Sequence, residues 1–229
     1  MLRHFMVPDR LLRLFPVFAG DPCKPVDSGR EDVIQWHTCQ TTTRSTGTGT
    51  PIVMGILEYR DALDIAGTPV TIRTMQPADR DIEHRFVREL SPLSRYYRFH
   101  SALRELTPSM LDRFTHVNYP EDMALIATIT VGESEREIGV ARYARYPGTD
   151  RAEIAVVVAD DWQGKGIATR LLLDLRGLAH AAGIRHLEAN VLSGNKQMMQ
   201  LARTLGFSIK PPAPGDGQAL ELGKDIDEG

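Results

Sequence analysis

The apolar positions of the chain change their spacing several times, and each change marks an element. Val70 to Thr74 is a short β-branched run that predicts a strand. Pro77 then opens a helix that runs to about Leu90, with Asp79 and Asp81 in its first turn, and Ser91-Pro92 ends it. Thr107 reads as the N-cap of a further helix that has Pro108 at its first position and Met110, Leu111 and Phe114 as apolar anchors. Met123 to Val131 is apolar enough for a buried strand. Gly132 to Glu135 is a turn, and Glu137 to Tyr146 returns as a hairpin partner in which Ile138 and Val140 alternate with Gly139 and Ala141. Arg151 to Val158 is a third strand of this meander. The period then becomes helical: Ile167, Leu171, Leu175 and Leu178 share one face of a helix to Ala182, and Gly183 stops it. A strand at His186 to Leu192, a helix at Asn195 to Leu205 closed by Gly206, and strands at Phe207 to Lys210 and Ala219 to Leu222 complete the order. The pattern predicts an α/β (α+β) chain, with a mixed central sheet and helices on both faces.

Residues 1–67 have a different texture. Asp21 to Gly29 is rich in Pro and Asp, and Gln40 to Pro51 is a run of Thr, Gly and Ser. Such segments bury too little to offset the entropy of ordering, so 1–67 is expected to be a flexible extension and 68–229 the folded domain. A short helix is expected near Ile56 to Ile65. On this reading a chain starting near Ala66 folds and binds its ligand unchanged.

Composition adds limits rather than identity. The 229 residues carry a formal net charge of −3, with 42% hydrophobic and 25% charged side chains, which is ordinary for a globular protein. Mild acidity gives no reason to expect nucleic acid or a membrane as partner. No apolar run approaches a membrane span, and Pro16 interrupts the short apolar stretch from Leu11 to Gly20. Cys23 and Cys39 form no disulfide framework or metal-ligand spacing, which suggests a reducing, cytoplasmic setting. His100, His116 and His186 lack paired ligand spacing, so no metal is expected.

Chemistry concentrates where the continuous apolar strand Val156-Val157-Val158 runs through Ala159-Asp160-Asp161-Trp162 into Gln163-Gly164-Lys165-Gly166-Ile167-Ala168 and a helix. A helix N-terminus offers unpaired N–H groups and the positive end of the dipole, and glycines let that backbone approach an anion closely. A tight strand-to-helix turn would explain the same glycines. The segment is not a P-loop, because no Gly-Lys-Ser/Thr closes it, and it lacks the third glycine spacing of a dinucleotide fingerprint.

The six residues Gln163 to Ala168 fit the pattern Gln/Arg-x-x-Gly-x-Gly/Ala. They resemble the acetyl-CoA pyrophosphate loop of the GCN5-related N-acetyltransferase (GNAT) family. The segment from Asn195-Lys196-Gln197-Met198 to Leu205-Gly206-Phe207 is similar to that family's Asn…Leu-Gly-Phe stretch, and the resemblance extends over roughly Val70 to Leu222. Ser91 to Phe99, Asn118 to Ala124 and Ala152 to Val158 resemble the acetyltransferase domain of bacterial protein lysine acetyltransferases. The acyl-CoA-synthetase-like or cyclic-nucleotide domains that those enzymes often carry have no counterpart here, which leaves the acceptor open.

The resemblance implies a GNAT fold, acetyl-CoA as acyl donor, no metal, and an amine acceptor such as a protein lysine. It implies that Gln163, Gly164, Lys165, Gly166, Ile167 and Ala168 hold the diphosphate. Val156, Val157 and Val158 would line the pantetheine arm, with a backbone N–H near Val156 polarising the thioester carbonyl. Asn195 would combine a helix cap with a cofactor contact. Glu153 stands alone among apolar strand residues, where burial disfavours a charge; it is either a solvent-facing glutamate or, as the resemblance implies, the general base. Many relatives have a tyrosine near position 202 as the acid for the leaving thiolate, whereas this chain has Ala202, so no general acid is identified. Arg85 to Arg104 holds five arginines interleaved with aromatics; packed aromatics and solvated arginines explain it better than single-stranded nucleic acid. Transfer to a small amine, or acyl-CoA binding without turnover, are the alternatives. A deep acidic pocket would favour the first of these. Gly166→Val is expected to weaken cofactor binding more than folding.

Overall fold

The computed structural model describes residues 58–211 and 219–226. The expected flexibility of the N-terminal segment therefore falls almost entirely outside the described residues. Its last part does not: Arg60–Ile65 is a strand (β1) and not the expected helix. Asp64 and Gly67 explain the difference. The Asp64 carboxylate accepts from the Gly67 N–H at 2.8 Å, and Gly67 takes φ +82°. The pair turns the chain back into β2 (Thr68–Thr74), which pairs antiparallel with β1 from Ile65↔Thr68 to Arg60↔Arg73. A chain cut at Ala66 would lose this edge strand, together with the packing of Tyr59, Leu63 and Ile65 on the core and the Asp61–Arg170 ion pair.

A 3-10 turn at Pro77–Asp79 leads into α1 (Arg80–Glu89). Ser91-Pro92 does more than end α1. Ser91 Oγ accepts from the Ser94 N–H at 3.2 Å, and Pro92 is the first residue of an additional helix, α2 (Pro92–Phe99), closed by His100 at φ 51°. The capping grammar was present in the sequence, but eight residues are too few for a clear helical period. Thr107 caps α3 (Pro108–Thr115) as expected, accepting from the Met110 N–H at 3.3 Å.

Strands β3 (Asp122–Val131), β4 (Ser134–Arg145) and β5 (Arg151–Val158) form the meander. The expected regular alternation in β4 fails at a bulge. The register shifts between Ala127 and Thr128, and Ile138 and Ala141 both enter one core while Val140 enters the other. Gly139 sits at the bulge, where a Cβ would meet Val158, Ile167 and Leu171 at 3.3–3.4 Å. Then come α4 (Ile167–Ala181), β6 (His186–Leu192), α5 (Lys196–Thr204), β7 (Ser208–Lys210) and β8 (Ala219–Asp225).

The eight strands lie in the order β1-β2-β3-β4-β5-β6-β8-β7. The β5–β6 pair is parallel, and every other pair is antiparallel. The parallel register spans Arg151↔His186 to Glu153↔Glu188 and then stops. Beyond Glu153 the two strands diverge, so Ile154 to Val158 have β4 on one side and no strand on the other. One core is built from α4 and α5 on one face of the sheet. It includes Leu125, Ile154, Ile167, Leu171, Leu175 and Met199. A second core lies under α1, α2 and α3 and includes Phe86, Phe99, Phe114, Ile126 and Val140.

Candidate active site

The divergence of β5 from β6 opens a cleft of about 810 Å³. Its walls are Val156 to Val158 on one side and Asn195 to Met198 with Leu201 on the other. The Gln163-to-Thr169 turn stands at one end, and α2 contributes Ser91, Leu93, Ser94, Tyr97 and Arg98.

The glycine turn has the geometry of an anion cradle. Gly164 (φ +73°) and Gly166 (φ +84°) are both left-handed, and a Cβ on either would meet nothing within 4 Å. Their main chain therefore faces open space at the N-terminus of the 15-residue α4, with Gly166 at the N-cap. Gly67, Gly132 and Gly148 share the left-handed φ and the open space, so what sets this turn apart is its place in the cleft at the start of α4. Ile167, 1% exposed, anchors the helix start in the core. Lys165 Nζ lies 4.5 Å from the Trp162 ring centroid. The left-handed φ raises the folding cost above the expectation that Gly166→Val would affect binding more than folding: an L-residue there is strained whatever the space.

Gln163 acts as a brace. Its amide Nε2 donates to Val158 O at 3.1 Å and to Ser94 Oγ at 3.2 Å, which ties the turn to the end of β5 and to α2. Asp160 strengthens the same joint. Its carboxylate accepts from Ser91 N–H (2.8 Å), Ser91 Oγ (2.7 Å) and Ser94 Oγ (2.7 Å). Burial raises the Asp160 pKa, but the hydrogen bonds from Ser91 and Ser94 outweigh it, so the group ends below the usual carboxylate range. On the far wall Asn195 caps α5, its Oδ1 accepting from the Met198 N–H at 3.1 Å, which leaves its NH₂ for a ligand. Tyr97 Oη reaches across from α2 to donate to Gly194 O at 2.9 Å.

Glu153 is 3% exposed, which overturns the reading of a solvent-facing glutamate. It sits at the last paired position of the β5–β6 register, at the closed apex of the wedge. Asn190 Nδ2, on β6, donates to its Oε1 at 3.2 Å across the opening. Its side of the sheet carries further buried charge: Glu83 on α1, Glu137 and Arg142 on β4, and Arg98 on α2. Arg142 Nη2 lies 3.8 Å from Glu83 Oε1 and its guanidinium stacks 4.2 Å from the Phe114 ring centroid. Burial and the neighbouring Glu83 push the Glu137 carboxyl well above the usual range.

The structure thus brings Val156 to Val158, Gln163, Gly164, Gly166, Ile167, Ala168 and Asn195 together around one cleft; Lys165 lies over Trp162 and does not line it, and Glu153 is buried behind it at the last paired position of β5 and β6. Sequence reasoning missed Ser91, Ser94, Tyr97, Arg98 and Asp160. The Ser91-Pro92 cap was the signal for α2; nothing local signalled Tyr97 or Arg98. The expectation that the Arg85-to-Arg104 arginines are solvated fails for Arg98, which is 9% exposed. Among the described residues, no group of three or more His, Cys, Asp or Glu is arranged to hold a metal ion, and no helix is long and apolar enough to cross a membrane.

The fold and cleft define the class. Residues 70–208 match the acetyltransferase (GNAT) domain family, and the chain belongs to that family. It is an N-acetyltransferase, a class of enzyme that uses acetyl-CoA. It is 34% identical over 141 residues to the acetyltransferase PA5475 of Pseudomonas aeruginosa, covering 62% of this chain and 76% of that protein. It is 30% identical to the acetyltransferase Pat of Mycolicibacterium smegmatis over 66% of this chain, but spans about half (47%) of Pat. A third relative, at 36% identity over 44% of this chain and 60% of its own length, is an L-methionine sulfoximine/L-methionine sulfone acetyltransferase of Pseudomonas aeruginosa. Among solved structures, the GNAT domain of S. lividans PAT matches with a TM-score of 0.65 at 27% identity, covering 72% of this chain and 96% of that one.

Proposed function

We propose that the protein transfers an acetyl group from acetyl-CoA to an amine, and that the amine is a lysine side chain of a protein. The observation that carries the reading is a cleft with an open glycine turn at one end, lined by Val156 to Val158 of the strand in which Glu153 lies buried three residues earlier. The diphosphate takes the N–H groups of Gly164 to Ala168. The pantetheine arm lies along Val156 to Val158, whose β6 side has no strand, and meets Asn195 on the opposite wall. An N–H near Val156 polarises the thioester carbonyl. An amine of pKa near 10 is mostly protonated at neutral pH, so it must lose a proton before it attacks. Glu153 takes that proton, directly or through water.

Two features support a protein as acceptor. Ser91 to Phe99, Asn118 to Ala124 and Ala152 to Val158 resemble bacterial protein lysine acetyltransferases, and Leu93 and Tyr96 stand 57% and 46% exposed on α2 beside the cleft. The methionine sulfoximine acetyltransferase relative favours the second reading, a small amine. Among the described residues the cleft does not form the deep acidic pocket that would accompany it: Asp160 is the one acid in its lining, and Ser91 and Ser94 engage it. The test is acetyl-CoA turnover against a panel of small amines, amino acids and lysine-bearing proteins. Protein acetylation mapped to lysines, exceeding turnover on any free amine, supports the reading. Turnover confined to small amines replaces it with the second.

A further inference from the structure

Acyl transfer leaves behind a thiolate, and the chain has no proton donor at the position where many relatives have a tyrosine: Ala202 is fully buried in the α5 core. The cleft does contain a cation that the steps above do not use. Arg98 is 91% buried by its 9% exposure and lines the cleft together with Val156 and Val157. Its guanidinium carbon lies 5.0 Å from the Phe99 ring centroid. Among the described residues it makes no hydrogen bond and no ion pair within 4.0 Å; its interactions with Glu83, Glu153 and Arg142 are longer-range. A buried guanidinium with five donors and no close acceptor is costly unless something occupies the space in front of it.

The position of that space follows from how α2 lies along β5. Ser91 and Ser94 are fixed to Asp160, just past the C-terminal end of β5. Arg98 is one helical turn further on, about 6 Å along the axis. It is electrostatically coupled to Glu153, near the start of β5. The helix therefore runs back along the strand, and Arg98 reaches the stretch between Glu153 and Val157. In the acyl-transfer reading this is where the thioester reacts.

We propose that Arg98 stabilises the negative charge that passes from the thioester carbonyl to the departing sulfur, in place of a general acid. This rests on the acyl-transfer reading above. The amine nitrogen forms a bond to the acetyl carbon, the carbon–sulfur bond breaks, and its electron pair leaves on sulfur as thiolate. The ammonium proton that Glu153 first removes has passed to water before attack, and the second amine proton, released as the carbon–nitrogen bond forms, goes to Glu153. The charges around Arg98 show why the exchange is favourable. Before reaction, the charged groups that act on Arg98 are Arg142, Glu83 and Glu153. When Glu153 accepts the proton it becomes neutral, and the thiolate replaces it as counter-charge to Arg98. The exchange moves one negative charge from Glu153 to sulfur and leaves the net charge around Arg98 unchanged, which is what a poorly solvated site requires. Burial and the like charge of Arg142 push Arg98 down to about 10, so it remains a cation at neutral pH. His100, at the end of α2, is lowered by burial and by Arg98 itself, and adds no competing positive charge.

The test needs no acceptor. Coenzyme A is bound to the full chain, and the ultraviolet absorbance of its thiolate is titrated against pH. Desulfo-coenzyme A serves as reference to remove the signals of Cys23 and Cys39 and of tyrosine. A free thiol titrates near 8.5. In the wild type the bound thiol should titrate at least one unit lower than in Arg98→Met, with Arg98→Lys between them. In turnover, Arg98→Met should lower kcat by about 10² or more with the KM for acetyl-CoA changed only a few-fold, as loss of a donor to developing charge does. A melting curve identifies a variant that has not folded, and Arg98→Lys, which keeps the charge, then carries the comparison. Equal thiol titration in folded wild type and variant overturns the assignment of Arg98. If coenzyme A fails to bind the wild type at all, the acyl-transfer reading fails first and this proposal with it.

Discussion

The two faces of the sheet differ in opposite senses: the core under α4 and α5 is the larger in hydrocarbon, and the buried charge lies under α1, α2 and α3. Under α4 and α5 the buried residues are uniformly hydrophobic, from Leu125 and Ile154 in the strands to Leu171 and Leu175 in the helix. Under α1, α2 and α3 the same sheet buries Glu83, Arg98, Glu137 and Glu153, with Arg142 close behind. A buried charge costs free energy unless it is paired, and replacing such a group by a hydrocarbon of similar shape is often neutral or stabilising. The first face is therefore organised for stability. The second gives up stability at the end of the sheet where β5 leaves β6, which is where chemistry needs charge in a poorly hydrated place.

The sharpest way to separate the faces is Glu153→Gln. The substitution keeps the shape and the contact with Asn190 but removes the basic site. A positioned base contributes roughly 10² to 10⁴ in rate, so kcat should fall within that range while acetyl-CoA affinity stays within a few-fold. Wild-type activity should rise with pH as the base loses its proton and the amine is freed; the variant should retain the amine limb alone. Near wild-type kcat at neutral pH would make Glu153 structural. The converse experiment is Leu171→Ala on the α4 face. Leu171 is fully buried, and truncation there should cost about 2–5 kcal/mol of stability through lost burial and an unfilled cavity. Activity per folded molecule should stay within about two-fold of wild type. A large loss of kcat at full folding would show that the two faces are not separable in this way.

The same contrast explains what could be read in advance. The α4 face was legible because its signal is local: Ile167, Leu171, Leu175 and Leu178 announce their helix by spacing alone. The glycine turn was legible because left-handed backbone restricts the residue to a type visible in the sequence. The charged face was not. Glu83, Arg98, Glu137 and Arg142 come from three elements, and each alone looks like a solvated residue on an amphipathic segment. Only the packing of α1 and α2 onto β4 and β5 makes them one array. Two smaller misses have local causes. The bulge at Gly139 breaks an alternation that is otherwise regular along β4, and the turn Asp64-Ile65-Ala66-Gly67 lacks the commoner Asn-Gly or Asp-Gly hairpin signature, so the local pattern predicts a helix where β1 lies.

Gly166→Val tests the junction of the two faces, where β5 passes into α4. A branched side chain there would occupy the open space above the cradle and should weaken acetyl-CoA binding at least tenfold, or about 1.4 kcal/mol. The φ of +84° adds a strain of roughly 1–2 kcal/mol to the folded state, so the melting temperature without ligand should also fall. The two effects are separable by calorimetry on the folded variant. Unaltered affinity there would remove the diphosphate from this turn.

The smallest effect is the most direct probe of the cost of buried charge. Glu137 is 2% exposed, and burial, reinforced by Glu83, raises its carboxyl well above the ordinary value. It is therefore protonated in the folded protein under conditions where the unfolded chain ionises it. A carboxyl with a raised folded pKa binds more protons in the native state, so stability declines as pH rises from the unfolded value near 4.3 toward the folded one. Glu137→Gln mimics the protonated form, and its amide can donate to the Glu83 carboxylate that remains paired with Arg142. The variant should lack this part of the decline. Its stability should match wild type near pH 4 and exceed it at pH 7, with a higher melting temperature there. Paired thermal melts across that pH range measure the difference. A variant less stable than wild type at pH 7, with an unchanged slope, would show Glu137 to be ionised and paired in the fold, and the charge balance around Arg98 would then have to include it.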